Sequence, residues 1–259
     1  MVLRGTEWRQ QAARDPCHGK LSITVHQKDM KAQERRNHHA INPYWYEFSR
    51  VFVRLWAALM FRIRYFGVEN VPREGSLLVV SNHQSHLDPP LIGAGIPRTM
   101  HYLARKSLFR FPGFAQLIRS YGAIALDLSN PLSGLKEALA CLQSGEAVLI
   151  FPEGTRSPDG ELHPFHKGFR MLAVRSQARI LPTAIEGAFA AWPKWKKLPR
   201  PGRVAVRYGM PLTADEYLHL DEDAFLRLVE DRVRECLWEL RNTAFPAGIP
   251  RPREQNVFS

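Results

Sequence analysis

Residues 76–95 read SLLVVSNHQSHLDPPLIGAG, an uninterrupted apolar run that passes through a polar turn into a Pro-Pro pair. The run LLVV is too uniformly apolar for a half-exposed strand, so it predicts a central strand covered on both faces. Proline suits the first turn of a helix, and Pro89-Pro90 therefore predicts a helix just after the turn. In α/β folds ligands collect where a strand ends and a helix begins, which makes this turn a candidate functional site.

Short apolar runs of the same kind recur along the chain and alternate with longer segments of helical period. They are SLLVV, TMHYLA, GAIAL, EAVLI, ARILPTAI and RVAVRYG, all within residues 76–209. Residues 214–242 have an apolar helical period and an acidic first turn, which predicts a helix that covers the sheet. The alternation predicts an α/β fold with a central, mostly parallel sheet flanked by helices.

Residues 42–66, NPYWYEFSRVFVRLWAALMFRIRYF, predict one long N-terminal amphipathic helix, which Asn42 can cap and in which Pro43 can occupy the first turn. Arginines gather on one side and aromatic bulk on the other. Such a helix either lies in the headgroup region of a membrane or packs on its own domain, and the aromatic density favours membrane docking. Residues 1–41 are predicted to form a mobile polar leader, and residues 243–259 a loose tail.

Composition narrows the class of partner without selecting one. The 259 residues are 45% hydrophobic, enough for one large domain, and 36 Lys and Arg against 25 Asp and Glu give a net charge of +11. This charge favours nucleic acid, an acidic lipid surface or a phosphorylated substrate. No secretory signal or apolar stretch of about 20 residues occurs, so any membrane association is expected at the surface.

The three cysteines, Cys17, Cys141 and Cys236, lie far apart without CxxC spacing. Neither a disulfide framework nor a thiolate zinc site is predicted, and a reducing cytoplasm fits this pattern.

His83 and Asp88, in the turn SNHQSHLD, have the chemistry of a base and its orienting acid. Imidazole is a base near neutral pH, and a carboxylate on its other nitrogen fixes the tautomer. Three other interpretations exist: a histidine that caps a turn, a metal site that adds His86, and a serine hydrolase using Ser81 or Ser85. The metal site requires convergence of side chains that should diverge on a helix, and no G-x-S-x-G elbow occurs.

A second motif follows the strand EAVLI, in the stretch Phe151–Ser157, FPEGTRS. Gly154 permits a tight turn whose backbone N–H groups can face an anion, and Arg156 offers a planar fork that matches phosphate oxygens.

The pairing of NHxxxxD with FPEGTRS about 65 residues later resembles the glycerolipid acyltransferase family, specifically the 1-acylglycerol-3-phosphate acyltransferases. The resemblance extends from Gly67 to Leu212, within a predicted acyltransferase domain of residues 67–242. It implies that His83 deprotonates an acceptor hydroxyl, that Asp88 orients His83, and that the hydroxyl attacks an acyl thioester directly. The binding residues that it implies for acceptor and phosphate are Glu153, Gly154, Thr155, Arg156, Lys106 and Lys167.

The same resemblance implies an acyl donor that is acyl-coenzyme A or an acyl carrier protein, with no cofactor and no metal. The expected partners are a lysophospholipid acceptor and an anionic membrane surface, reached as a peripheral protein on the cytoplasmic face; nucleic acid is not expected. Apolar residues around Phe109, Phe111, Phe114 and Leu117 are expected either to line an acyl groove or to belong to the core.

One position departs from the family pattern. Many members have an Asp-Arg pair that contacts the acceptor phosphate, where this chain has Asp127-Leu128. Either a nearby cation substitutes, from Arg105, Lys106, Arg110 or Arg119, or the acceptor is a lyso-lipid with another headgroup. A non-catalytic lipid-surface binding protein of the same fold is a further alternative.

Overall fold

The computed structural model describes residues 41–127 and 129–245. The predicted leader up to residue 40, Leu128 and the predicted tail from residue 246 lie outside the described residues. The helices are α1 Pro43–Phe61, α2 Asp88–Gly95, α3 Pro112–Ser120, α4 Leu132–Gln143, α5 Arg170–Ser176, α6 Ala188–Ala191, α7 Ala214–Tyr217 and α8 Glu222–Thr243. The strands are β1 Arg64–Phe66, β2 Leu77–Ser81, β3 Met100–Arg105, β4 Ala123–Leu126, β5 Ala147–Ile150, β6 Arg179–Glu186 and β7 Ala205–Tyr208. Short 3₁₀ turns cover Val68–Asn70, Lys106–Arg110 and Lys167–Phe169.

The strands form one seven-stranded sheet in the order β1-β7-β6-β2-β5-β3-β4. All neighbours are parallel except β6 and β7, which run antiparallel. Six strands fall on the six apolar runs, so the predicted α/β class and mostly parallel sheet are confirmed. The strand β2 lies at the centre, where every one of its residues is buried, as the uniform run LLVV predicts.

Helices cover both faces of the sheet. Leu77 and Val79 of β2 pack with α1 and α2 on one face. Leu78 and Val80 pack with α4, α5 and α8 on the other face, which confirms the covering helix predicted near the C-terminus. Alternate side chains of a strand point to opposite faces, so a strand with two buried faces must be apolar throughout.

The helix α1 begins as predicted and ends earlier. The Asn42 side chain accepts hydrogen bonds from the backbone N–H groups of Tyr44 and Trp45, at 3.0 and 3.1 Å. The prediction that the helix reaches residue 66 is wrong, because Arg62 turns into the left-handed region with φ 42°. The chain then forms β1, in which Tyr65 pairs with Val206 of β7, so sheet pairing overrides the helical period.

Only part of α1 packs on the domain. Tyr46, Ala57 and Phe61 are buried, whereas a row of large apolar side chains is exposed: Tyr44, Trp45, Phe48, Val51, Phe52, Leu55 and Leu59. Within the described ranges, no helix combines the length and apolar character needed to cross a bilayer.

Candidate active site

The two motifs meet at the carboxyl edge of the sheet. The strands β2 and β5 are parallel neighbours, with Val80 opposite Ile150, so the turns that follow them leave the sheet side by side. This register brings His83, three residues beyond Val80, next to Glu153, three residues beyond Ile150. The carboxyl ends of central parallel strands are where α/β folds assemble ligand sites.

His83 and Asp88 are in direct contact. The Nδ1 atom of His83 lies 2.8 Å from Oδ2 of Asp88, and Asp88 is the first residue of α2, fully buried. The same oxygen accepts hydrogen bonds from the backbone N–H groups of Gln84 and Ser85, at 2.6 and 2.7 Å. A carboxylate only accepts, so Nδ1 carries the proton and Nε2 is left as the basic nitrogen.

The His83 ring is held in place by its surroundings. It stacks on Phe151 with ring centroids 4.0 Å apart and an interplanar angle of 17°, and its side chain is 19% exposed. Its backbone N–H donates to Oε1 of Glu153 at 2.9 Å, and its carbonyl accepts from the N–H of Ser157 at 2.7 Å. The two motifs are therefore fixed to each other by backbone hydrogen bonds as well as by the sheet.

The Glu153 carboxyl is held inside the site by backbone N–H groups. Its second oxygen accepts from the backbone N–H of His163 at 3.4 Å, and the residue is only 4% exposed. Burial raises the pKa of this carboxyl to about 7, against the two backbone hydrogen bonds, which lower it. The sequence predicts Glu153 as a substrate-binding residue, whereas both its oxygens face backbone donors of the protein.

Gly154 and Thr155 form the exposed tip of the FPEGTRS turn. Gly154 has φ +68°, and a Cβ atom there would lie 3.0 Å from the His166 ring, so the turn requires glycine. Thr155 is exposed beside it, and Arg156 is half-buried. The Nη1 atom of Arg156 is buried with no hydrogen-bond partner in residues 41–127 and 129–245.

The positive charges of Arg156 and Arg105 act on each other. Burial lowers the pKa of Arg156, and the neighbouring charge of Arg105, the last residue of β3, lowers it further. Burial also lowers the pKa of His86, followed by the charges of Arg156 and His83. His86 therefore lies in surroundings that disfavour its charged form, and the nearby positive charge of Arg156 would attract an anion.

The two lysines predicted as binding residues have protein partners. Nζ of Lys106 donates to Asp127 at 2.9 Å, across the ends of β3 and β4. Nζ of Lys167 contacts Glu222 at 2.9 Å and Asp223 at 3.2 Å, at the start of α8. Neither is bonded to the His83 cluster, and their predicted role in substrate binding remains a prediction.

Several residues of the site make contacts that the sequence does not predict. The Asn82 side chain bonds the backbone of Ile185 in both directions at 2.9 Å, tying β2 to β6. Gln84 donates to the carbonyl of Gly160 at 2.8 Å. Arg105 is one of four candidate cations, and its place in the sequence does not show that its charge acts on Arg156.

The two described cysteines are not activated as nucleophiles. Burial raises the pKa of the Cys141 and Cys236 thiols to about 12, so neither described cysteine is a thiolate near neutral pH. In the described part of the chain, no group of three or more His, Cys, Asp or Glu side chains is placed to hold a metal ion. The His86 ring instead lies against Trp192, with centroids 5.5 Å apart.

The fold and the site together define a class: a mostly parallel α/β domain that carries a histidine in contact with a buried carboxylate, beside the half-buried Arg156. A family model described as acyltransferase matches residues 62–186. The crystal structure of the 1-acyl-sn-glycerophosphate (LPA) acyltransferase PlsC from Thermotoga maritima is 31% identical, with a TM-score of 0.69 over 76% of this chain and 80% of that chain. The chain belongs to the glycerolipid acyltransferase family, as its paired motifs predict.

Two relatives illustrate how much of the chain is shared. A 1-acyl-sn-glycerol-3-phosphate acyltransferase of Bacillus subtilis is 27% identical over 199 residues, 76% of this chain and 97% of that protein. One of Limnanthes alba is 32% identical over 158 residues, 60% of this chain and 56% of that protein. The chain thus spans just over half the length of the plant relative.

Proposed function

We propose that the protein transfers a fatty acyl group from an acyl thioester to the hydroxyl of a lysophospholipid, converting 1-acylglycerol-3-phosphate to phosphatidic acid. The observation that carries the proposal is the 2.8 Å contact between Nδ1 of His83 and the buried Asp88, which leaves Nε2 as a base. The same substrate appears in the names of the relatives from Bacillus subtilis and Limnanthes alba.

The proposed reaction needs no covalent enzyme intermediate. Nε2 of His83 takes the proton of the acceptor hydroxyl as its oxygen attacks the thioester carbonyl carbon, and Asp88 stabilises the imidazolium. The tetrahedral intermediate collapses with cleavage of the C–S bond, and the thiolate leaves with the proton returned by His83. The raised pKa values of Cys141 and Cys236 agree with direct transfer, since neither thiol is activated.

Arg156 and Arg105 are the proposed ligands of the acceptor phosphate. The unpartnered Nη1 of Arg156 supplies a donor that a phosphate oxygen would satisfy, and an anion between two guanidiniums would relieve their repulsion. Of the four cations expected to replace the family arginine at position 128, Lys106 is paired with Asp127 and Arg119 lies over the Phe109 ring. Arg105 is the candidate that the electrostatics favour.

The donor is proposed to be acyl-coenzyme A or an acyl carrier protein, with no further cofactor. The lipid acceptor resides in a bilayer, so the protein is proposed to dock peripherally on an anionic cytoplasmic membrane face through the exposed apolar row of α1.

The residues considered for an acyl groove are divided between the surface and the core. Phe111, Phe114 and Leu117 are exposed, whereas Phe109 packs on a small core. This region lies near the N-terminal end of α1, where the indole N–H of Trp45 donates to the Ser120 hydroxyl at 3.1 Å. Their role in an acyl groove stays a prediction.

The alternative acceptor, a lyso-lipid with another headgroup, rests on Leu128. Thiol release from a long-chain acyl-coenzyme A tests the choice, with lysophosphatidic acid compared with lysophosphatidylcholine, lysophosphatidylethanolamine and a lyso-aminolipid. Preference for lysophosphatidic acid supports the proposal, and turnover only on another acceptor would replace the substrate but keep the chemistry. Binding to lipid with no turnover on any acceptor, with either donor, would indicate a non-catalytic lipid-binding protein.

A further inference from the structure

A basic and aromatic segment lies between α6 and β7, and nothing in the proposed chemistry uses it. Residues 192–200 read WPKWKKLPR, and we call them the basic-aromatic loop. Trp195 is 55% exposed and Leu198 is 77% exposed, and the neighbouring lysines are also exposed. Large apolar side chains in a loop that bears cations are costly to leave in water unless they contact something else.

Contacts within the loop and with Phe189 support its conformation. The indole N–H of Trp192 donates to the carbonyl of Lys196 at 2.8 Å, and the N–H of Lys196 donates to the carbonyl of Pro193 at 3.1 Å. The Trp195 ring packs edge-on against Phe189 with centroids 5.4 Å apart, which fixes one side of the indole and exposes the other. The free side of the Trp195 ring is therefore a defined part of the protein surface.

This surface adjoins the active site. The Ser85 hydroxyl, two residues from His83, donates to the carbonyl of Trp192 at 2.8 Å. The Trp192 ring lies against His86, with centroids 5.5 Å apart. A ligand of the loop would consequently lie close to the His83 turn.

The same surface adjoins the end of α1. Just after the loop, the N–H of Gly202 donates to the carbonyl of Met60 at 3.0 Å, and the N–H of Val204 donates to the carbonyl of Phe61 at 2.9 Å. The segment that follows the loop is thus bonded to the end of α1, directly after the exposed apolar row that ends at Leu59.

The charged residues in and around the basic-aromatic loop are all basic. Between Glu186 and Asp215 the sequence contains no acidic residue. The cations of the loop are Lys194, Lys196, Lys197 and Arg200. In residues 41–127 and 129–245, none of these four side chains forms an ion pair.

We propose that the basic-aromatic loop is a second membrane contact, which inserts Trp195 and Leu198 into the interface of an anionic bilayer and so turns the His83 site towards its lipid acceptor. Tryptophan prefers the headgroup region, and lysines near an anionic surface each strengthen binding. An acidic carrier protein would satisfy the charge but would leave the exposed apolar pair unexplained. The inference rests on the proposed function only in taking the acceptor from a membrane.

Vesicle sedimentation of the full chain tests the proposal without depending on turnover. The vesicles are phosphatidylcholine alone, or phosphatidylcholine with about one third phosphatidylglycerol. The K196E/K197E double variant is expected to lose about tenfold or more in affinity for the anionic vesicles, and W195A/L198A to lose affinity for both kinds. Lys136→Glu on α4 and Trp238→Ala on α8, both exposed on helices of the opposite face, are the matched controls and are expected to change binding less than about twofold.

Activity in mixed micelles separates this proposal from the proposed function. Loop variants that keep thiol release in micelles but lose it on vesicles would support membrane docking at the loop. Unchanged vesicle affinity in both loop variants would overturn the proposal, whatever the activity. Unchanged vesicle affinity with reduced use of an acyl carrier protein donor would assign the loop to the carrier protein instead.

Discussion

The Nδ1 atom of His83 and the Oδ2 atom of Asp88 lie 2.8 Å apart, although five positions separate the residues in sequence. Asp88 opens α2, and its carboxylate also accepts the N–H groups of Gln84 and Ser85, which close the turn around it. One buried carboxylate therefore shapes the turn and orients the base. A helix spacing of five would not bring the two side chains together, so the turn is what makes the pair.

The Asp88→Asn variant is expected to keep the fold, but His83 should no longer act efficiently as a base. The amide can still accept from the backbone, but it does not stabilise an imidazolium, so kcat should fall by roughly 10²- to 10⁴-fold. Stability should fall by about 1–3 kcal/mol, because a carboxylate that accepts three hydrogen bonds is replaced. Steady-state kinetics and urea unfolding measure the two effects, and a kcat within about threefold of the native value would remove Asp88 from the mechanism.

Glu153→Gln is expected to change how stability depends on pH. Burial raises the folded pKa of Glu153 to about 7 from an ordinary 4.5, so its contribution to stability is full below 4.5 and is lost as pH rises through 7. Glutamine stays neutral and keeps the shape, with one oxygen that can accept from His83 N–H and an NH2 group in place of the oxygen that faces His163. The melting temperature of the native protein should therefore fall relative to Glu153→Gln between about pH 5 and about pH 8. Parallel melting curves across that range would show that Glu153 does not titrate there.

Arg156→Ala is expected to weaken binding of an anionic acceptor specifically. Loss of a charge-assisted hydrogen bond should raise KM for lysophosphatidic acid by about 10- to 100-fold and leave KM for a lyso-lipid without net charge nearly unchanged. Arg105→Ala should act in the same direction.

Lys106→Ala is the matched control for these arginines, because Lys106 is exposed and paired with Asp127. Its effect on KM should stay below about threefold. A larger rise in KM for Lys106→Ala than for Arg105→Ala would indicate that Lys106, and not Arg105, contacts the phosphate.

Gly154→Ala is expected to distort the turn between the two motifs. A left-handed φ of +68° costs about 1–2 kcal/mol for alanine, and the added Cβ atom would crowd the His166 ring at 3.0 Å. Stability and kcat should both fall, as chemical unfolding and kinetics would reveal. Gly113→Ala in α3, where no heavy atom lies within 4 Å, should be neutral or slightly stabilising. Equal behaviour of the two variants would mean that the turn tolerates a side chain.

Sequence patterns are enough to predict six strands of the sheet and the partnership of His83 with the FPEGTRS turn. They fail at β1, because Arg64–Phe66 continues a helical period and becomes a strand only by pairing with β7. Glu153 shows the same limit within the site. Its residue type indicates binding chemistry, and only the fold brings the backbone N–H groups of His83 and His163 to its two oxygens.

Arg105 illustrates a third limit. Four cations lie near the departure at Leu128 in sequence, and spacing does not rank them. The ends of β3 and β4 pair Lys106 with Asp127, whereas the charge of Arg105 acts on Arg156. The sequence shows which residues are charged, whereas the fold decides which groups each charge acts on.

The central claim is that His83 is the base for direct acyl transfer. The most direct measurement is thiol release from a long-chain acyl-coenzyme A, with and without lysophosphatidic acid, by the native protein and by His83→Ala. We expect release that requires the acceptor and falls by about 10²- to 10⁴-fold in His83→Ala, with His86→Ala retaining most activity. Release by His83→Ala at the native rate, or release that continues without acceptor, would contradict the account.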